Sequence, residues 1–326
     1  MNVIEIARTG GPEVLERRER PIPKPGPGEV LIKAHAIGVA YFDMLIRTGR
    51  YPWMPPLPYV PGNEMTGHIV DGNGTGLNHG QPVYVANWDN DYKGGFYADY
   101  LVASAKAVRP LAADADLDRA AALSNYVVAT CMLDYAVRFP FETIAVHGAA
   151  GGMGLALIEL ARLAGAKAIG IAGGAEKCAL VAARGAQAID HTREDIVARV
   201  RELTGGRGAD LVCNHMAGDT LKRDLTMLAP FGVLVSYGAL NGLPQGDLFR
   251  DMRAVVAACP AVRCFTMHAF DHAAHLRDRA TDKVLRLFAE KKIDPVLGPV
   301  FPLTEAQAAH RALEARGIMG KIILKP

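Results

Sequence analysis

The stretch that most restricts this chain is Thr143-Ile-Ala-Val-His-Gly-Ala-Ala-Gly-Gly-Met-Gly-Leu-Ala-Leu-Ile158. An apolar run of strand length enters a glycine-rich loop, and the loop opens into a segment of helical composition. That order is the strand, turn and helix of a dinucleotide site. Each glycine has an expected task. Gly148 and Gly151 permit the tight turn, Gly152 lets the backbone approach a pyrophosphate, and Gly154 lets the helix pack on the sheet. The first N–H groups of that helix then point at the phosphates, with the positive end of the helix dipole behind them, and Ala150, Gly151, Gly152, Met153 and Gly154 are the expected cofactor contacts. The string departs from Gly-x-Gly-x-x-Gly at Ala149 and Ala150, and no Gly-Lys-Ser/Thr follows, which disfavours a kinase or ATPase loop.

The flanking sequence fits the same fold. Strands are expected at 143–147, 167–172, 187–190, 210–214, 233–237 and 262–266, with helices at 153–164, 176–184, 194–204 and 219–228. Strands alternating with crossover helices make a doubly wound, Rossmann-type parallel α/β sheet. The first ~115 residues have another texture, since Gly and Pro clusters cut them into short strands. Examples are Pro21-Ile-Pro-Lys-Pro-Gly-Pro-Gly28 before a strand at 29–36, and Asp71-Gly-Asn-Gly-Thr-Gly76 after one at 67–70. A small β-barrel or sandwich is expected there. The last stretch returns to that style, with helices at 282–290 and 305–316 and a closing strand at 321–324. The expected organisation is a β-rich domain made of 1–116 and 268–326, with the αβ domain 117–267 inserted and a long helix, 118–137, bridging them.

Charge narrows the partners. Thirty-six Lys and Arg against 34 Asp and Glu leave a formal +2, too little for a surface that lives on nucleic acid or anionic lipid. Small-molecule partners are expected. The five cysteines (Cys131, Cys178, Cys213, Cys259, Cys264) are odd in number and form no Cys-x-x-Cys, which argues against a disulfide framework or a thiolate-rich zinc site. The start, Met1-Asn-Val-Ile-Glu5, lacks the regions of a signal peptide, and no apolar run approaches the ~18 residues of a membrane span. A soluble protein of a reducing cytoplasm is the expectation.

The end of the second strand of the αβ domain selects the dinucleotide. A carboxylate there hydrogen-bonds the ribose 2′-hydroxyl of NAD but repels the 2′-phosphate of NADP. This strand ends in Ile171-Ala-Gly-Gly174 with no acid, and Lys177 follows within a turn, which favours NADPH. Glu176 stands where the ribose acid is expected; we read it as a first-turn helix residue favoured by the dipole. His191 and Arg193, after the third strand, are placed either to reach the same phosphate and the adenine or to serve as ordinary loop residues.

Several further strings carry a resemblance: Gly10-Gly-Pro-Glu-Val-Leu15, Gly38-Val-Ala-Tyr-Phe-Asp-Met-Leu-Ile-Arg-Thr-Gly-Arg-Tyr51, Pro61-Gly-Asn-Glu64, Val146-His-Gly-Ala-Ala-Gly-Gly-Met-Gly154, Thr204-Gly-Gly-Arg-Gly-Ala-Asp210 and Gly320-Lys-Ile-Ile-Leu324. With them the chain resembles, over nearly its whole length, the medium-chain dehydrogenase/reductase superfamily and within it the zinc-independent quinone oxidoreductases. The resemblance implies a GroES-like catalytic domain beside the Rossmann domain, substrate in the cleft between them, NADPH as reductant of quinones and enones, and a homodimer. In the zinc-dependent alcohol dehydrogenases the metal ligands fall in segments matching 38–43, 62–64 and 125–126; here those segments show Ala40, Asn63 and no thiol. A catalytic zinc needs three donors placed together, so a metal-free mechanism is expected. Two departures stand out: relatives often carry Asn where Ala40 stands, and tend to show Asp-Ser-Val-Gly where this chain has Asn214-His-Met-Ala217.

The resemblance also implies site residues. Tyr51 aligns with a tyrosine proposed as proton donor in enoyl-thioester reductases; it serves equally as an aromatic lid. Thr130 matches a threonine near the nicotinamide. Tyr237 and Gly238 are expected along the cofactor, and His215 either touches it or fills space. Tyr41, Trp53, Trp88, Tyr92 and Phe96 line a flat substrate pocket or form the small domain's core. Asp43 and Glu64 are read as structural acceptors. His268, His272 and His275, at i, i+4 and i+7, are expected to be an exposed polar face. The leading expectation is an NADPH-dependent quinone or enone reductase. The rivals are an enoyl-thioester reductase of the same superfamily and an NADPH-binding structural or redox-sensing protein.

Overall fold

Among the described residues the punctuated first third becomes seven strands: β1 (Asn2–Ile6), β2 (Leu15–Glu19), β3 (Glu29–Gly38), β4 (Glu64–Asp71), β5 (Pro82–Ala86), β6 (Tyr100–Ser104) and β7 (Val108–Pro110). This computed structural model describes residues 1–86, 88, 94–137 and 140–326. The inserted αβ segment supplies β8 (Thr143–His147), β9 (Lys167–Ala172), β10 (Gln187–Asp190), β11 (Ala209–Asn214), β12 (Leu228–Ser236) and β13 (Ala261–Cys264), and the C-terminal part adds β14 (Leu297–Pro302) and β15 (Lys321–Lys325). The helices are α1 (Tyr41–Arg47), α2 (Leu117–Ala120), α3 (Leu123–Thr130), α4 (Gly152–Leu163), α5 (Ala175–Ala183), α6 (Ile196–Leu203), α7 (Thr220–Leu225), α8 (Leu248–Ala254), α9 (Ala274–Ala289) and α10 (Ala306–Glu314). No helix among the described residues is long and apolar enough to cross a membrane.

Packing divides the chain into unit 1, Met1–Ser124 with Arg286–Pro326, and unit 2, Asn125–Leu285. Sequence texture sets those borders at 117 and 268; packing sets them at 125 and 286. The reason is visible at α2, where the Thr66 hydroxyl of β4 donates to the Leu117 carbonyl at 2.8 Å and ties this helix to unit 1. Unit 1 holds a sheet of order β14-β15-β3-β4-β5-β7 with β6 also on β3, so the C-terminal strands do close the N-terminal domain. The β1-β2 hairpin runs antiparallel from Asn2↔Glu19 to Ile6↔Leu15. Its core gathers Ile4, Ile32, Met65, Val85, Phe96, Tyr97 and Leu324.

Unit 2 is an all-parallel sheet of order β10-β9-β8-β11-β12-β13. Every residue of β8 is buried, without alternation, because helices cover both faces of such a sheet. The chain starts at β8 in the middle, winds outward through β9 and β10, then returns to β11 on the other side. Strand order therefore reverses between β8 and β11, the place where open α/β sheets bind ligands beyond their carboxyl ends.

The expected helix 118–137 is not continuous. It is α2, then α3, then a π-helical segment Cys131–Val137. The same apolar residues serve either register, so composition gave no warning; π segments are frequent at functional sites. Nor do His268, His272 and His275 share a helical face. His268 lies in the 3-10 turn Met267–Phe270 and pairs with Asp271 at 2.9 Å, whereas α9 begins only at Ala274. Among the described residues, no three His, Cys, Asp or Glu side chains converge as a metal site.

Candidate functional site

Gly148 follows β8 with φ +60°, a conformation that disfavours any side chain. A Cβ there would also lie 2.4 Å from the His215 ring. The Gly151 N–H donates to the Gly148 carbonyl at 3.0 Å and closes the turn. Gly151 itself sits at φ −78°, which any residue adopts, so its expected role as a conformational necessity is corrected: what it supplies is an N–H already used inside the turn. Gly154 is needed for packing, since a Cβ there would fall 2.4 Å from the Gly148 carbonyl oxygen. The helical ladder begins with Leu155 N–H to Gly151, which leaves the N–H groups of Gly152, Met153 and Gly154 outside it at the positive end of α4. Ala150, between Ala149 and Gly151 in the same loop, is buried.

The neighbouring strand ends close round the same edge. β9 stops at Ala172, and Gly173 and Gly174 lead into α5, Gly174 at φ +89°. Glu176 is exposed in the first turn of α5 and Lys177 is half-buried beside it. The His191 ring covers Gly173, where a Cβ would meet its Nε2 at 2.9 Å, and Arg193 is exposed two residues on. One residue escaped the sequence reading: Asp190, the last of β10. Its Oδ1 accepts the Gly174 N–H (3.0 Å), the Thr192 N–H (3.0 Å) and the Thr192 hydroxyl (2.6 Å). These bonds, the Gly174 one first, hold its carboxyl down at about 2. An acid does stand beside the end of β9, then, but that oxygen is occupied by the loop. The Asp-x-Thr spacing of a side-chain turn was the available signal.

Beyond β11 the His215 ring rests on Gly148 and lies 5.8 Å from the Tyr237 ring. Burial pushes the Tyr237 phenol upward, so it stays protonated at neutral pH. Gly238 leaves room for the His215 backbone, whose carbonyl oxygen would be 2.7 Å from a Cβ there. Thr130 ends α3 with its hydroxyl fully buried and without a hydrogen-bond partner among the described residues. All these positions lie in unit 2, and all except Thr130 stand at or just past the carboxyl ends of the sheet strands.

In unit 1, Tyr51 packs edge-on against Phe42 (4.6 Å between rings) and Trp53 (5.6 Å). Tyr41 and Trp88 are half-buried, and Trp53 is 56% exposed. Phe96 is wholly buried in the core, the second of the two options open to it. Tyr92 lies outside the described residues. Asp43 is the structural acceptor expected of it, taking the N–H groups of Ala40 (2.9 Å) and Gly62 (3.0 Å) and the Tyr97 hydroxyl (3.3 Å). Burial nevertheless pushes its carboxyl up to about 6. Tyr97 contacts His310 Nε2 at 3.1 Å, and burial drives that imidazole down to about 3. Glu64 pairs with Lys321 at 2.5 Å and accepts the Ser124 N–H at 2.9 Å. Sequence reading missed Tyr97, His310 and Lys321 as partners, because nothing local marks a pair hundreds of residues apart.

Residues 26–113 match the alcohol dehydrogenase GroES-like domain family, and residues 185–324 match the zinc-binding dehydrogenase family. The quinone oxidoreductase of Rattus norvegicus is 31% identical over 334 residues, which cover 99% of this chain and 97% of that protein. Quinone oxidoreductase 1 of Escherichia coli K12 is 30% identical over 330 residues, covering 99% of each. Among solved structures, mycobacterial Rv1454c complexed with NADPH superposes with a TM-score of 0.88 at 31% identity, and E. coli quinone oxidoreductase complexed with NADPH with 0.88 at 29%, each covering both chains in full. This fold, its glycine turn and these relatives together establish that the chain belongs to the quinone oxidoreductase family of the medium-chain dehydrogenase/reductase superfamily.

Proposed function

We propose that the protein is an NADPH-dependent, metal-free oxidoreductase that reduces quinones or α,β-unsaturated carbonyls. The observation that carries this is the Gly148–Gly154 turn at the reversal of strand order, with unladdered N–H groups at the start of α4. Two relatives of known structure hold NADPH; β9 itself ends without an acid, the neighbouring Asp190 has Oδ1 taken up by the loop, and Lys177, His191 and Arg193 nearby suit the 2′-phosphate. The residues present fit that group: the turn is shaped as a backbone cradle, and the orphaned Thr130 hydroxyl offers a hydrogen bond to a polar ligand.

When bound, NADPH supplies the hydride for an electron-poor carbon. The N–H groups of Gly152, Met153 and Gly154 bind phosphate, and the protonated Tyr237 ring walls the crevice beside His215. Tyr51, its ring fixed by Phe42 and Trp53, offers its phenolic hydroxyl to the reduced acceptor as a hydrogen bond or a proton. Tyr41, Trp53 and Trp88 offer flat apolar surface to a quinoid ring. Ala40 has no donor atom and Asn63 only a neutral amide, a poor zinc donor set, which supports the metal-free reading. Edge strand β13, with Phe231, Leu243, Phe249 and Val256 between 49% and 74% exposed, supports a homodimer.

The deciding experiment is steady-state oxidation of NADPH against 9,10-phenanthrenequinone, 1,4-benzoquinone, an alkyl enone and crotonyl-CoA, with and without chelator. Turnover of a quinone that survives the chelator is the expected result. Preference for crotonyl-CoA would move the assignment to thioesters, loss with chelator would end the metal-free reading, and NADPH binding without turnover would favour a sensor.

A further inference from the structure

One carboxylate joins the two loops that border the crevice. Asp224, on α7, is fully buried. Its Oδ2 lies 2.7 Å from Nε2 of His147, the last residue of β8, and accepts a hydrogen bond from Nδ2 of Asn214, the last residue of β11, at 2.6 Å. Its Oδ1 accepts from Arg223 Nη2 at 2.8 Å and Nε at 3.0 Å. Burial alone would raise this carboxyl, but His147 and Arg223 bring it below its ordinary value. His147 immediately precedes Gly148. Asn214 turns its Oδ1 to the N–H groups of Met216 (2.7 Å) and Ala217 (2.8 Å), fixing the turn that lays His215 on Gly148. The amide orientation is dictated by these partners: the oxygen faces two donors and the nitrogen faces a carboxylate.

We propose that Asp224 is a positioning residue of the dinucleotide crevice, holding His147 and Asn214 on one oxygen so that the Gly148 turn and the 215–217 turn are set before the cofactor arrives. The inference rests on the NADPH reading of unit 2. Charge-assisted hydrogen bonds are short and stiff, and backbone N–H groups already in place bind an anion with little further ordering. The network also has a mirror form. An Asp at 214 accepts the same two turn N–H groups, and an Asn at 224, with Nδ2 in the place of Oδ2, donates one hydrogen to that Asp and the other to Nε2 of a neutral His147, while its Oδ1 keeps the Arg223 bonds.

The test compares wild type, Asp224→Asn and the exchanged pair Asn214→Asp with Asp224→Asn. NADPH Kd is read by tryptophan fluorescence, kcat and KM by quinone turnover, and loop order by amide hydrogen exchange of Gly148–Gly152 in cofactor-free protein. Asp224→Asn is expected to raise the NADPH Kd about tenfold, the cost of one lost charged hydrogen bond, and to speed loop exchange while kcat holds within about twofold. The exchanged pair is expected to regain most of the affinity and protection. A folded Asp224→Asn with wild-type Kd and exchange overturns the proposal, as does an exchanged pair that recovers neither, a fall confined to kcat, or failure of both variants to fold, which would make Asp224 a general folding residue. Should wild type not bind NADPH, the cofactor reading fails, and the exchange measurement alone still decides whether Asp224 orders the loop.

Discussion

The two units solve one problem, fixing a loop, by different means. In unit 2 the decisive turn is built from backbone: Gly148 at φ +60°, Gly154 against a carbonyl, N–H groups left outside a helix. In unit 1 the loops are pinned by buried side chains from distant parts of the chain: Glu64 with Lys321, and Asp43 with Tyr97 and His310. Backbone devices are written in consecutive residues and concern a ligand. The buried pairs of unit 1 are written across the whole sequence and hold the fold, whereas in unit 2 the buried Asp224 pair braces the backbone device, and breaking the Glu64–Lys321 pair leaves an uncompensated charge in low dielectric.

The largest effect should therefore fall in unit 1 and spare ligand recognition. Lys321→Met strands the buried Glu64 carboxylate and is expected to lower unfolding free energy by about 3–5 kcal/mol, read by urea denaturation. A loss below about 1 kcal/mol would mean that the Glu64–Lys321 pair does not hold the fold, and the contrast between the units would fail. Next, in unit 2, Gly148→Ala sets a side chain at positive φ and against His215, and is expected to weaken NADPH binding by about 2–3 kcal/mol. Gly151→Ala, at φ −78° with its Cβ 3.3 Å from the nearest atom, should bind nearly as wild type. Equal losses at both positions would show that the turn geometry is not what recognises the ligand.

A smaller effect sharpens the unit 1 side through pH. Burial lowers His310 to about 3 in the fold, so its contribution to stability is present above its unfolded pKa and is lost as pH falls. Asp43, raised by burial to about 6, works the other way: its contribution is present below its unfolded pKa and is lost as pH rises through 6. Between pH 6 and 4, His310→Gln should gain on wild type by up to about 1.4 kcal/mol per pH unit in parallel urea titrations. Parallel curves would place His310 in contact with water. The smallest effect is at the rim: Trp53→Ala, at a mostly exposed side chain, should change stability by about 0.5 kcal/mol or less while raising KM for an aromatic quinone a few-fold, roughly.

Legibility in the sequence follows the same division. β8, β9 and β10 are readable to the residue because short Ala, Ile and Val stretches with polar ends alternate with helix-length segments, and the Gly148 turn announces itself in seven consecutive positions. The positions expected to touch cofactor gather at one sheet edge because a parallel sheet sends every carboxyl end the same way. What stayed hidden depends on side-chain pairing between distant segments. Asp224 reaching His147, and Tyr97 reaching His310, leave no periodicity behind them. Asp190 was visible as a strand end but not as the acceptor of three loop donors, since its partners lie on two different connections. The break of 118–137 into α and π segments was equally silent, both registers using the same Ala-rich composition.

The account stands most directly on a single titration of wild-type protein with NADPH and NADH, followed by quenching of Trp53 and Trp88 at constant ionic strength. NADPH is expected to bind at least about tenfold more tightly, the worth of one cation on the 2′-phosphate. Equal affinities, or tighter NADH, would contradict the roles given to Lys177 and to the end of β9, and would point to Asp190 as a ribose acceptor.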